Sequence, residues 1–188
     1  AFDALKKLLS SRGEKILANT RADGSVRTAL ASCEGKIQPK REAYKFARVV
    51  VTFKLAQPFF FASVITEEDV VVDASPKTLV VDNEGTVEKC NPTIVLTGPL
   101  LNPSILNTTN GVRVTYVGTI ASPRVVTIQE VNKEIVASDD LDTNVIGNLT
   151  HEGSEAYMVL EPGTNSLEIE DDTHTTGSVG VTFYAPYL

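Results

Sequence analysis

The period of the apolar positions changes near residue 64. Before it, Phe2, Leu5, Leu8 and Leu9 recur at helical spacing, with Lys6, Lys7 and Arg12 on the other side and Gly13 directly after. That pattern predicts a short helix over residues 2–12 with one buried face and a glycine stop. Asp23-Gly24 then separates two strand-like runs, EKILANT and SVRTALASCEGKI, and predicts a hairpin turn. The charged stretch QPKREAYKF, with Pro39 inside it, reads as a loop, and RVVVTFKLAQPFFF as a long strand that ends at Pro58. Phe59, Phe60 and Phe61 follow one another, and successive side chains on a strand point to opposite faces. They are therefore interface candidates, the competing reading being that they plug the junction between the two parts of the chain.

From Val64 onward no helical period is left. Short β-branched runs, among them DVVVD, TIVLTG, VRVTYVG, RVVTI, NSLEIE and SVGVTFY, recur at intervals of roughly ten residues between Gly, Pro, Asn or Asp. Val112, Val114 and Tyr116 should face one way and Arg113, Thr115 and Val117 the other. Asn110-Gly111 marks another tight turn. The fold class expected is mainly β: a small α+β portion over 1–63 (helix, hairpin and strand), then a β-sandwich of jelly-roll type with about ten strands over 64–188. The join is expected between Ala62 and Thr66.

Charge sharpens that division. The net charge is −7, which removes weight from a generally nucleic-acid-binding surface. Most Lys and Arg lie in 1–63, whereas 64–188 is acidic, so two copies could attract each other head to tail. Hydrophobic residues make up 42% of the chain, enough for a packed core, and no run approaches the about 18 apolar residues of a membrane helix. The first residues are too charged for a signal peptide. The chain opens at Ala1 inside the expected helix, so a further N-terminal segment is expected upstream. Cys33 and Cys90 lie far apart and outside any C-x-x-C pattern, which leaves a zinc site unsupported. Two readings stay open for them: one bridge, or buried free thiols, the default in a reducing cytoplasm.

Catalytic sets are not expected. His151 and His174 sit in polar, acidic sequence and read as solvated loop residues; Ser154 and Ser178 lack a G-x-S-x-G elbow. Asp140, Asp142 and Asn144 begin a calcium-loop pattern, but Val145 replaces its glycine and His151 its final glutamate, which rejects an EF-hand. Looser binding by Asp139, Asp140 and Asp142, or by Glu168, Glu170, Asp171 and Asp172, is weighed against ordinary solvated loops. No cofactor or metal is expected. The sequons at Asn107 and Asn148 read as chance matches.

Three stretches together carry a resemblance. They are N-E-G-T from Asn83, C-N-P-T-I-V-L-T-G from Cys90, and L-N-P-S-I-L-N from Leu101. Near the end, Leu160-Glu161-Pro162-Gly163-Thr164-Asn165 leads to Gly180-Val181-Thr182-Phe183-Tyr184 and Tyr187-Leu188. In order and spacing they resemble the galectin-like C-terminal jelly roll of the distal tail proteins of long-tailed bacteriophages, or of a related minor tail protein. The helix, the hairpin and A-Q-P-F-F-F resemble the last part of that family's ring-forming domain, with Gln57 in place of an acid. The family's first strands and belt-like hairpin would lie upstream of Ala1.

The resemblance implies a non-catalytic virion component, assembled in the bacterial host cytoplasm and located in the tail. It implies self-association into a ring that links tail tube to host-recognition apparatus, with other tail proteins as partners and neither nucleic acid nor membrane. It also implies that the strand after Pro162-Gly163-Thr164-Asn165 and the one following it pair to finish the sheet, with terminal aromatics stapling the last strand to the core. Binding of a host-surface glycan is the alternative, on the galectin analogy.

Overall fold

The computed structural model describes residues 14–43, 46–87, 90–131, 134–155, 157–173 and 176–188, with side chains for all of these except 35–43 and 46–49. The expected helix over 2–12 and His174 lie outside the described residues. Two compact units are present, Ala1–Ser63 with Leu188, and Val64–Tyr187.

In the first unit, β1 (Lys15–Thr20) and β2 (Val26–Ala43) form the expected hairpin, pairing from Lys15↔Ala31 to Thr20↔Val26. Gly24 takes φ +85°, a conformation in which a side chain is strained, and the Asp23 carboxylate accepts the Ser25 N–H at 2.8 Å. β3 (Phe46–Leu55) and β4 (Phe60–Ala62) both pair with the other edge of β2. The stretch read as a loop is therefore mostly strand: β2 runs on through Pro39, which sits opposite Val49. Among the described residues this far half of β2 has a partner on one side only, so the N–H that proline lacks is not required there. The register shift between Glu34 and Gln38 absorbs the irregularity as a bulge.

The second unit is an antiparallel two-sheet sandwich. One sheet orders as β13-β12-β7-β16-β5, from β5 (Thr66–Val71), β7 (Thr93–Thr97), β12 (Val125–Val131), β13 (Glu134–Asp139) and β16 (Ser178–Phe183). The other orders as β14-β10-β9-β15-β6, from β6 (Lys77–Asn83), β9 (Ser104–Asn107), β10 (Val112–Tyr116), β14 (Leu149–Glu152) and β15 (Gly163–Glu170). The short β8 (Leu100–Leu101) and β11 (Thr119–Ile120) pair apart, a 3₁₀ turn covers Ile146–Asn148, and β17 (Pro186–Tyr187) ends the unit. Alternation puts Leu79, Val81, Ile105, Val112, Val114, Leu167 and Ile169 inward from one sheet, and Ile94, Leu96, Val126, Ile128, Val179 and Val181 inward from the other, all buried. Each such aliphatic side chain contributes about 1.5–3 kcal/mol by leaving water.

One expected pairing is wrong. β15 and β16 do not pair with each other: β15 joins β6 and β9, and β16 joins β5 and β7 in the opposite sheet. The segment between them is pinned at its start by Asp171, whose carboxylate accepts the N–H of Leu101 at 2.5 Å and both the N–H and hydroxyl of Thr173. The chain therefore crosses between sheets instead of turning back. Phe183 and Tyr187 are buried, but Tyr184 points outward with 48% of its surface exposed.

Candidate functional site

Among the described residues, those weighed for chemistry are not assembled into a reacting set. His151 is exposed on β14, Ser154 is exposed just beyond it, and Ser178 lies on β16 in the other sheet. Among the described residues no three His, Cys, Asp or Glu side chains converge as metal ligands. The Asp139–Asn144 stretch has a structural use. Arg124 pairs with Asp139 at 3.6 Å and with Asp140 at 3.2 Å, and the Asp139 carboxylate accepts the N–H groups of Leu141 at 3.0 Å and Thr143 at 2.8 Å. Those backbone bonds, Thr143 first, hold the Asp139 carboxyl below its usual range.

The second acidic stretch is likewise engaged. Glu170 meets Arg113 at 2.5 Å and Ser104 at 3.2 Å, and its carboxyl is held low chiefly by the Arg113 hydrogen bond. Asp172 accepts from the Asn102 amide at 2.8 Å. Cys90 is buried beside the Tyr184 carbonyl, and desolvation pushes its thiol up to about 12; neither it nor Cys33 is in a disulfide.

The motifs that carry the family resemblance meet around one strap. Residues 157–160 are wholly buried: Tyr157 places its hydroxyl 2.8 Å from the carbonyls of Pro92 and Ile128, and Leu160 bridges to Cys90. Three buried asparagines hold this strap. Asn107 donates to the Val159 carbonyl at 2.8 Å and to the Asn165 side chain at 3.2 Å, while accepting from Thr109 N–H at 3.0 Å. Asn165 both donates to the Glu161 carbonyl, at 2.8 Å, and accepts the Glu161 N–H, at 2.9 Å. Asn83 reaches the Leu160 and Glu161 carbonyls and accepts the Gly85 N–H at 3.0 Å. Gly85 has no alternative, because a Cβ there would stand 2.4 Å from the Pro186 carbonyl oxygen. The motif residues are thus the polar closure of the sandwich, and buried amides of this kind are tolerated only when bonded.

Two surfaces remain as interaction candidates. In the first unit, Phe59 and Phe61 pack edge to face, with centroids 5.4 Å apart and planes at 73°, and all three of Phe59, Phe60 and Phe61 are half-buried. Phe61 is opposite Thr28, on the same face of the sheet as Leu30 and its cross-strand partner Ile16, which are 51% and 71% exposed. Exposed large apolar side chains gathered on one face of a sheet mark a candidate interaction surface.

In the second unit, a cavity of about 300 Å³ opens where the edge of one sheet faces the edge of the other. Val114, Ile135, Ile146, Leu149, Thr150, His151 and Tyr157 line it. Sequence reasoning missed it. The available signal was the alternation of Leu149 and His151, which pair with the inward-facing Tyr116 and Val114. It lacks the exposed aromatic that a sugar platform uses: Tyr157 is buried in its floor, and Tyr184 does not line it.

The second unit is an antiparallel β-sandwich, and the first is a separate small sheet built on β2. A solved structure matches the whole chain. The crystal structure of the SPP1 Dit (gp 19.1) protein, described as a paradigm of the hub adsorption apparatus in phages infecting Gram-positive bacteria, superposes with a TM-score of 0.68 at 16% identity. The match covers 100% of this chain and 70% of that protein. The chain therefore has the fold of a siphophage distal tail protein. No protein-family model matches it, and no curated protein sequence does.

Proposed function

We propose that this protein is a structural component of a bacteriophage tail, placed at the tip or baseplate, where it links the tail tube to the host-recognition apparatus. The observation that carries this reading is the whole-chain likeness to a hub protein of a phage adsorption apparatus. The motif order points the same way, since its asparagines and glycines prove to be the closure of the sandwich.

The protein works as a head-to-tail ring. A ring of identical subunits needs two different patches per subunit. The apolar patch of Phe61, Leu30 and Ile16, with Phe59 packed on Phe61, supplies one anchor, and Phe60 alternates to the opposite face. The basic first part and the acidic sandwich set orientation and register more than affinity. Its partners are other copies of itself and other tail proteins, and its location is the virion tail.

The test is the purified protein, sized by light scattering, imaged by electron microscopy, and sought in purified virions by mass spectrometry. Rings that dissociate on Leu30→Lys or Phe61→Lys are expected. A protein that stays monomeric at high concentration and low salt, and is missing from virions, would refute the reading.

A further inference from the structure

The four outer strands of the sandwich are not equivalent. β5 carries Glu67, Glu68 and Asp69, like charges that discourage a further strand. β6 begins at Lys77 and has Asp82 near its end. β13 is covered by the chain that follows it: Val145 N–H donates to the Ala137 carbonyl at 2.9 Å, Asp139 N–H to the Thr143 carbonyl at 3.0 Å, and Ser138 bridges Asn144. β14 is a short strand ending in the exposed Glu152, but among the described residues it carries no run of like charges and no following segment pairs with it. Its sequence is Leu-Thr-His-Glu, it is the terminal strand of its sheet, and the apolar cavity lies directly beside it.

Ladder parity settles which groups β14 presents. Val117 N–H donates to the Asn148 carbonyl at 2.7 Å, so residues 148, 150 and 152 turn their backbone toward β10. The carbonyls of Leu149 and His151, and the His151 N–H, then face the open side. By the same parity Leu149 and His151 belong to the inner face of the sheet, His151 remaining exposed at its edge, and Thr150 and Glu152 to the outer face.

A strand laid antiparallel or parallel along this edge would drop every second side chain into the cavity of Val114, Ile135, Ile146 and Tyr157. Its intervening side chains would stand beside Thr150 and the exposed Glu152. We infer that β14 is a strand-addition site for an extended segment of another protein, with large aliphatic residues at alternate positions and Lys or Arg between them. A volume of about 300 Å³ is enough for the side chains of a short segment but not for a helix. The surrounding acidic unit favours the cationic alternation. This inference does not depend on the tail assignment.

The probe is a synthetic heptapeptide, Lys-Ile-Lys-Val-Lys-Ile-Lys, with a control of the same composition sorted into an aliphatic block and a lysine block. Binding is read by calorimetry and by amide hydrogen exchange on the full chain. The alternating peptide is expected to bind at least about tenfold tighter than the control and to slow exchange at the His151 amide. His151→Pro removes the edge-facing N–H and spares the β10 ladder; Ile135→Lys places a like charge in the cavity. Each is expected to weaken binding at least about tenfold with melting and circular dichroism retained. If His151→Pro does not fold, Ile135→Lys and the exchange map decide. Equal binding of the two peptides, unchanged affinity in a folded variant, protection confined to another strand, or no saturable binding at about 1 mM would each overturn the inference.

Discussion

Asn107 has no accessible surface, yet it sits in the parity of a core residue, two positions after Ile105. It is kept there by three bonds, to the Val159 carbonyl, the Asn165 side chain and the Thr109 N–H. Replacing it with alanine strands the Val159 and Asn165 partners away from water, so Asn107→Ala should cost about 2 kcal/mol in urea unfolding. A loss below about 0.5 kcal/mol would mean the strap is held by packing alone. Cys90 offers a second check at this scale. Its thiol, pushed up to about 12 by burial, should resist Ellman's reagent at pH 8 in the native protein. The half-buried Cys33 should react first, and Cys90 only after denaturation. Prompt reaction of both would show that the second unit opens on the assay's timescale. These roles were half legible in the sequence. The asparagines and glycines stood out by order and spacing, but nothing local said that the Asn107 and Asn83 side chains close a strap 52 and 77 residues away, because that depends on which segments the fold brings together.

At the scale of elements, the turns were the most readable features. Asp23-Gly24 and Asn110-Gly111 each specify a tight turn through a glycine at positive φ, +85° and +75°, which needs no tertiary information. The alternation over β10 was readable for the same reason. Two things were not. Pro39 argues against a strand only where its missing N–H is needed, and the one-sided pairing of β2 could not be known in advance. The division of β15 and β16 between sheets is decided by partners far away in sequence, Leu79 opposite Leu167 in one case and Ile94 opposite Val181 in the other. The Arg113–Glu170 pair tests the cross-strand electrostatics of the β10-β9-β15 group. Hydrogen bonding to Arg113 lowers the Glu170 carboxyl, so its contribution is present above the ordinary glutamate range and lost as pH falls through the lowered value. Glu170 is nearly half exposed, and screening limits the effect to about 0.5 kcal/mol. Glu170→Gln should therefore lower stability slightly at pH 7 and not at all near pH 2, in paired denaturation curves. An equal loss at both pH values would assign the effect to packing instead.

For the molecule as a whole, the question is how much of the chain the sandwich needs. Every strand of its two large sheets lies between Thr66 and Phe183, and among the described residues those strands pair with others in that span. Its largest fully buried side chains, from Val72 to Ile169, are also all within it. A unit of about 120 residues is large enough to close its own core, whereas one small sheet is not. The segment 64–188, expressed alone, should therefore fold cooperatively. Its β7, β9, β12, β15 and β16 amides should show the same exchange protection as in the full chain, and urea should unfold it in a single transition. It should also stay monomeric, since it lacks the Phe61, Leu30 and Ile16 surface on which assembly is proposed to depend. A fragment that is insoluble or unprotected in β15 and β16 would show that residues 1–63 complete this core. A folded fragment that still self-associates would move the assembly surface from the first unit to the sandwich.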